Sequence, residues 1–477
     1  MKIGSIINGE EYLEETRETI TVKNPYNEEM VAELALAKED DLNRAIDISY
    51  DTFHQTMKKM PAHDRADILL KASKLLEERK DEFAETITKE AGKPLQFSQG
   101  EVQRSVQVLR FAAEEAKHIE GKVIPMDAAI GGENRIGFTK RVPLGVVAAI
   151  TPFNFPLNLT LHKVAPAIAA GNTIVLKPAE KTPVSAYKLV QLLHESGLPK
   201  GALNFLLGTG KEIGDPLVKH DKIHKVTFTG SLPVGRTIRE NAGFKKVTLE
   251  LGSNSPNILF EDADLDYAVS SLVKGAFAFS GQVCISAQRI YVHQNIYDRF
   301  LKAFIEKTEA LMIGDPMSEE TEFGPMINED EAKRAKMWID DAIDNGAKLE
   351  TGGERNGTLL KPTIMTNVKS DMKIIAEEVF APIVSVIPFS SENQVVHQSN
   401  DSIYGLQAGI FTRDIDRAFR VADQLEMGGV WINEMSTYRQ DNHPYGGVKK
   451  SGIGREGVQY ALEDMTELKF YGIRLNR

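Results

Sequence analysis

Cysteine is nearly absent: Cys284 is the single one among 477 residues. One thiol rules out an intramolecular disulfide framework and a multi-cysteine metal site, and it fits a reducing compartment. Long apolar runs are missing too. Val142 to Ile150 and Leu161 to Ala170 are the longest, well short of the ~20 residues a membrane helix needs. Met1 to Glu15 carries glycine, asparagine and four glutamates where a secretory leader requires an unbroken apolar region, so export is not expected. Positive charge is in deficit: 57 Lys and Arg against 68 Asp and Glu leave a net charge of -11. That balance argues against a nucleic-acid surface or a polybasic membrane anchor. There is no H-E-x-x-H and no Cys-rich cluster. His220 and His224 stand four apart, but Lys219, Lys222 and Lys225 around them mark a solvated surface, so no metal is expected. The expectation is a soluble cytoplasmic protein with neither nucleic-acid nor membrane partners.

What is present is ordinary globular composition, 42% apolar and 26% charged, in a chain long enough for two or three domains. Ile68, Leu69, Ala72, Leu75, Leu76, Phe83 and Ile87 recur at helical spacing, predicting one amphipathic helix over Arg65 to Ile87 that Gly92-Lys93-Pro94 stops. Val102, Val106, Leu109, Ala113 and Ala116 predict a second helix. Lys122 to Arg141 then turns extended around Pro125 and Gly131-Gly132, which reads as a hairpin and a candidate arm. From Leu144 onward strands and helices alternate: strands at 145–150, 173–176, 203–207, 225–228 and 246–251, with helical stretches between them. This is the pattern of successive βα units on a parallel sheet. A second α/β region begins after Asp262, and Met465 to Leu475 reads as a terminal strand.

Several segments could carry chemistry. Cys284 lies in Ser280-Gly281-Gln282-Val283-Cys284-Ile285-Ser286, between a helical and a strand pattern, where small residues let the backbone approach a ligand. It is either a catalytic thiolate or a small buried hydrophobe, the usual state of an isolated cysteine. Asn154, in Thr151-Pro152-Phe153-Asn154-Phe155-Pro156, sits where a buried strand opens into a helix; it can donate to a developing oxyanion or simply cap that helix. Lys177 and Glu180 also follow a strand, and read either as ribose contacts or as a solvated charge pair. Gly208-Thr209-Gly210 and the Gly230-Ser231 turn suit phosphate approach, yet neither is a G-x-G-x-x-G fingerprint and each can be a plain tight turn. Glu250, between apolar residues at a strand end, is a general base if buried and an ordinary outward-facing residue if not. Glu377 and Glu378 cannot be ranked by composition.

Pro152-Phe153-Asn154, Lys177-Pro178-Ala179-Glu180, Phe228-Thr229-Gly230-Ser231, Leu249-Glu250-Leu251-Gly252, Gly281-Gln282-x-Cys284 and Glu378-Val379-Phe380-Ala381-Pro382 occur in that order. Individually weak, together they closely resemble the aldehyde dehydrogenase superfamily. The resemblance runs from Asn24-Pro25 to Pro444-Tyr445-Gly446-Gly447-Val448-Lys449-x-Ser451-Gly452. It implies an α/β fold with a Rossmann-type coenzyme domain (1–120 and 145–252), an α/β catalytic domain (253–456) and a small β oligomerisation arm (121–144 and 457–477), in a homodimer or homotetramer.

The resemblance also implies roles. Cys284 is the nucleophile, Glu250 the general base, and Asn154 with the Cys284 backbone N–H the oxyanion donors. Lys177 and Glu180 meet the adenosine ribose, Glu378 the nicotinamide ribose, and Gly230 and Ser231 the pyrophosphate; Thr151, Pro152, Phe153, Gly210 and Phe380 complete the coenzyme contacts. The implied reaction oxidises an aldehyde to a free acid through a thiohemiacetal and a thioester. Glu180 suits two free ribose hydroxyls and would repel a 2′-phosphate, which favours NAD, with NADP possible because Lys181 adjoins it. Ser253 departs from the usual second glycine, and Leu232-Pro233 from the usual pair at the phosphate turn.

The Cys284 segment and the loop Tyr438-Arg439-Gln440-Asp441 look most like the branch acting on lactaldehyde, phosphonoacetaldehyde and glyceraldehyde 3-phosphate, in the last case without phosphorylation. Those substrates are short and polar or anionic. Arg104 and Arg439 are candidates to hold such an anion, because a guanidinium binds carboxylate or phosphate bidentately. The competing reading is local ion pairing, Arg439 with Asp441 and Arg104 with Glu101. Two other functions compete with the dehydrogenase: a cofactor-independent thiol hydrolase, and a non-catalytic binding protein on the same fold.

Overall fold

The computed structural model describes residues 1–14 and 16–476; Glu15 and Arg477, in the expected coenzyme segment and arm, lie outside the described residues. Two large sheets and one small arm organise the chain. In the first sheet, Lys246–Glu250, Ile223–Thr229, Val146–Ile150, Thr173–Lys177 and Leu203–Phe205 run parallel in that spatial order. Val146–Ile150 is buried at every residue, as a central parallel strand with both faces covered must be. Its side chains alternate between two cores. Val147 and Ala149 join helices Ala62–Glu78, Leu95–Ala116, Asn158–Ala170 and Val184–Glu195, while Val146, Ala148 and Ile150 join Leu42, Ile46, Leu217 and Ile238 on the opposite face.

The second sheet orders Lys348–Thr351, Thr363–Thr366, Ile383–Phe389, Ala287–His293, Ser255–Leu259, Gln407–Phe411 and Gly429–Ile432, parallel except at Lys348–Thr351. The arm pairs Thr466–Arg474 antiparallel with Arg135–Pro143, from Thr466 opposite Pro143 to Arg474 opposite Arg135, and Val123–Ile124 adds a third strand. Val123, Leu468, Phe470 and Ile473 leave apolar surface exposed there.

Three local expectations change. The helix expected over Arg65 to Ile87 is two helices, Ala62–Glu78 and Lys80–Ala91, broken at Arg79. The run Glu77–Glu82 is entirely charged, so no apolar residue marked the bend. Gly452–Ile453, inside the segment expected to be catalytic, pairs with Lys246–Glu250 of the first sheet. Helix Val458–Asp464, inside the expected arm, buries Val458 and Leu462 in the core beneath that sheet, so the arm's own strand starts at Thr466.

Candidate active site

Every predicted site motif before Cys284 falls at the carboxyl end of a parallel strand, where open α/β sheets bind ligands. Val146–Ile150 runs into Thr151-Pro152-Phe153-Asn154, Thr173–Lys177 ends on Lys177, Ile223–Thr229 runs into Gly230-Ser231, and Lys246–Glu250 ends on Glu250. Cys284 arrives from the second sheet's side, between helix Leu265–Phe277 and strand Ala287–His293. Phe279, Ser280 and Gly281 before it all have positive φ, of 47°, 54° and 69°. Such strain in two non-glycine residues persists only where surroundings hold it. Here Ser280 Oγ donates to Gly324 O at 2.6 Å, and Gly281 lies so close to the Ala381 carbonyl that a Cβ would stand 2.3 Å from it. The cysteine loop is thereby pressed against the Glu378–Pro382 segment.

Two cavities meet at Cys284, which lines both. The larger, about 900 Å³, is bounded by Thr151, Pro152, Phe153, Asn154, Lys177, Glu180, Gly210, Gly230, Ser231, Glu250, Glu378 and Phe380. All the residues expected at the coenzyme therefore share one space. Lys177 Nζ donates to Glu180 Oε1 at 2.8 Å, so these residues form the charge pair, but on the cavity wall. A Cβ on Gly210 would meet open space, and the Ser231 side chain does not cap helix Leu232–Asn241, which leaves first-turn N–H groups to an anion. The size, the carboxylate and the uncapped helix fit a dinucleotide.

Glu250 is 2% exposed, and among the described residues neither carboxyl oxygen has a hydrogen-bond partner. Burial, and then the nearby Glu456 charge, push its pKa well above the ordinary range, while Arg439 and Lys163 oppose the rise. The outward-facing reading is excluded by this burial. Glu378 is half-buried on the wall of the larger cavity, and desolvation pushes its pKa up to about 7 although Oε1 accepts from Ser253 N at 3.0 Å. Asn154 does not cap the helix that follows it. Its Nδ2 donates to Gln282 O at 3.0 Å, and Glu101 Oε1 instead accepts from Leu157 N and Asn158 N at 3.0 and 3.1 Å. His220 ends its short helix and His224 lies in a strand, so the two share no helix face.

The smaller cavity, about 340 Å³, is walled partly by Arg104, Tyr438, Arg439 and Tyr445. Both arginines are ion-paired, though not as expected. Glu101 is consumed by the buried Lys93 and by the helix N-terminus, so Arg104 forks onto Asp441 at 3.0 and 2.6 Å. Asp441 also meets His162 Nε2 at 2.7 Å and Asn158 Nδ2 at 3.3 Å. Arg439 turns away from Asp441 to Glu456, 2.9 Å away, and stacks 3.6 Å above the Tyr445 ring centre.

Sequence reasoning assigned no role to Tyr445, Lys163 or Glu456. Tyr445 Oη lies 3.0 Å from Cys284 Sγ across 161 residues of chain, and Lys163 Nζ meets Glu456 Oε1 at 2.9 Å across 293. Tyr445 belongs to a motif already noted, but nothing local in the sequence ties it to the thiol. Burial pushes the Cys284 thiol up to about 11, against the opposing effects of the Tyr445 bond and the Arg439 charge.

A parallel α/β sheet whose strand ends and uncapped helix line a dinucleotide-sized cavity, closed at its far end by a cysteine, fits a coenzyme-dependent oxidoreductase. The chain belongs to the aldehyde dehydrogenase family, whose profile matches residues 12–471. It is 48% identical over 472 residues to 3-sulfolactaldehyde dehydrogenase of Priestia aryabhattai, covering 99% of this chain and 98% of that protein. It is 42% identical over 457 residues to lactaldehyde dehydrogenase of Methanocaldococcus jannaschii, covering 95% and 97%. The crystal structure of glyceraldehyde-3-phosphate dehydrogenase GapN from that same organism, complexed with NADP, matches at a TM-score of 0.93 and 41% identity, covering 96% of this chain and 100% of the other. The protein is an NAD(P)-dependent aldehyde-oxidising enzyme. Among the described residues no helix is long and apolar enough to cross a membrane.

Proposed function

We propose that this enzyme oxidises a short polar or anionic aldehyde to its carboxylic acid, with Cys284 as nucleophile and NAD as the preferred acceptor. The observation that carries this reading is the meeting of the two cavities at Cys284. One cavity delivers the coenzyme and the other the aldehyde, so the reacting carbon is held between them.

The thiol starts protonated, since burial raises its pKa to about 11, and releases its proton to solvent in the adjoining cavity as it attacks. Tyr445 Oη, 3.0 Å from Sγ, and the Arg439 charge above that ring stabilise the thiolate as it forms. Thiolate addition to the aldehyde gives a thiohemiacetal, whose oxygen carries negative charge. Asn154 spends one amide N–H on Gln282 O, and its second N–H is free to donate to that oxygen along with the Cys284 backbone N–H. Bound in the larger cavity, the dinucleotide supplies the acceptor for the hydride that leaves the substrate carbon. Cys284 is left as a thioester. Glu250, with unpartnered oxygens and a raised pKa, takes a proton from water, and the resulting hydroxide releases the acid.

Lys177 and Glu180 are assigned to the adenosine ribose and Glu378 to the nicotinamide ribose, with Gly230 and Ser231 at the pyrophosphate. The Glu180 carboxylate on the wall supports NAD over NADP, by repulsion of a 2′-phosphate. Arg104 and Arg439 are assigned to the substrate's polar end. The named substrates of the relatives, sulfolactaldehyde and lactaldehyde, are short and polar. The first sheet is the coenzyme domain, the second the catalytic domain, and the arm, with Leu468, Phe470 and Ile473 exposed, the contact of a cytoplasmic homodimer or homotetramer.

The test is reduction of NAD and NADP against a panel of neutral, semialdehyde and phosphorylated aldehydes. Turnover faster with NAD and abolished in Cys284→Ala is expected. Turnover surviving that substitution would overturn the thiol mechanism.

A further inference from the structure

The cationic groups on the wall of the smaller cavity are Lys93, Arg104, Lys274 and Arg439. Lys93 is bonded to Glu101, Arg104 to Asp441, and Arg439 to Glu456. Each of these cations has a carboxylate within bonding distance, although Glu456 also serves Lys163. Lys274 lines the same cavity, is exposed, and makes no ion pair or side-chain hydrogen bond among the described residues. It stands in the last turn of helix Leu265–Phe277, the helix that leads directly into the Cys284 loop. Among the described residues its ammonium is therefore the one cation on that wall with no carboxylate within bonding distance.

We propose that Lys274 sets the charge selectivity of the enzyme, favouring short aldehydes whose far end carries a carboxylate, sulfonate or phosphate. This rests on the dehydrogenase reading above and deepens it. Arg104 and Arg439 present N–H donors to that far end, but each is already held by a carboxylate partner, Asp441 or Glu456. They orient a polar group, charged or neutral. The discriminating attraction comes from Lys274, whose flexible four-carbon stem lets the ammonium follow the anion, and whose exposure makes the attraction sensitive to salt.

The experiment compares two aldehydes of equal chain length, butanal and the four-carbon aldehyde ending in a carboxylate, in wild type, Lys274→Met and Lys274→Arg. Lys274→Met is expected to lower kcat/KM for the carboxylate-bearing aldehyde by about fivefold, mostly through KM, and to leave butanal within about twofold. Lys274→Arg restores the preference. Raising ionic strength erodes the preference in wild type and has little further effect in the methionine variant. A parallel readout independent of turnover is protection of Cys284 from alkylation by the four-carbon dicarboxylate product, which should weaken in Lys274→Met. Equal losses on both aldehydes, no loss on either, or a wild-type preference for butanal would each overturn the assignment. Wild type oxidising butanal while these differences are absent sinks only the role of Lys274; wild type oxidising no aldehyde in any panel sinks the reading beneath it as well.

Discussion

Tyr445 Oη lies 3.0 Å from Cys284 Sγ, and the Arg439 guanidinium rests 3.6 Å above the same tyrosine ring. The cation does not touch the sulfur. It acts on a neighbouring hydroxyl whose bond to Sγ strengthens when the sulfur becomes negative, because a hydrogen bond to a charged acceptor is worth more than one to a neutral acceptor.

Tyr445→Phe keeps the ring and the cation stacking and removes the hydroxyl alone. Loss of a charge-assisted bond of about 1.5 kcal/mol should raise the thiol pKa by about one unit and slow alkylation about tenfold at neutral pH. The pH dependence of inactivation by iodoacetamide reads this directly; an unshifted profile would remove Tyr445 from thiolate stabilisation.

Glu250→Gln preserves shape in a buried site and removes the base. Acylation should survive while hydrolysis of the thioester falls by about 100-fold, giving a burst of reduced coenzyme followed by a slow steady state. In wild type the hydrolytic step should quicken as pH rises through the elevated pKa of Glu250. Rapid-mixing absorbance separates the two phases, and a variant with a full steady-state rate would exclude Glu250 as the base.

Glu378 has a folded pKa of about 7, raised from an ordinary 4.5 by burial. The folded state then holds this proton more tightly than the unfolded state, so the group's stabilising contribution is complete below pH 4.5 and is lost as pH rises through about 7. Without coenzyme, wild type should lose stability across that window, by at most about 1.4 kcal/mol per pH unit from this group. Glu378→Gln keeps an acceptor for Ser253 N and should flatten the dependence. Denaturant midpoints measured from pH 5 to 8 decide it; parallel curves for both proteins would show that Glu378 ionises freely.

Asp441 joins Arg104, His162 and Asn158, and hydrogen bonds and the positive charge around it hold its carboxyl below the usual range despite burial. Its contribution is present above pH 3.9 and disappears only under strong acid. Asp441→Asn leaves the buried partners poorly matched and should cost about 2 to 4 kcal/mol. It should also free Arg104 to bind an anion with full charge, lowering KM for an anionic aldehyde. A stable variant with unchanged KM would contradict both effects.

Much of this was written in the chain. Continuous burial of Val146–Ile150, the alternation of strands with helices, and the placement of Asn154, Lys177, Gly230 and Glu250 at strand ends follow from apolar runs and their punctuation. Those are local properties, set by neighbours in sequence. Tertiary structure alone chose among the readings that local chemistry left equal. It buried Glu250 instead of exposing it, turned Asn154 to Gln282 instead of to its own helix, and paired Arg104 with Asp441 instead of Glu101. It also brought Tyr445 to Cys284 and Glu456 to Lys163. A side chain's partner and pKa depend on which distant groups share its desolvated space, and the one-dimensional order of residues carries no distance between them.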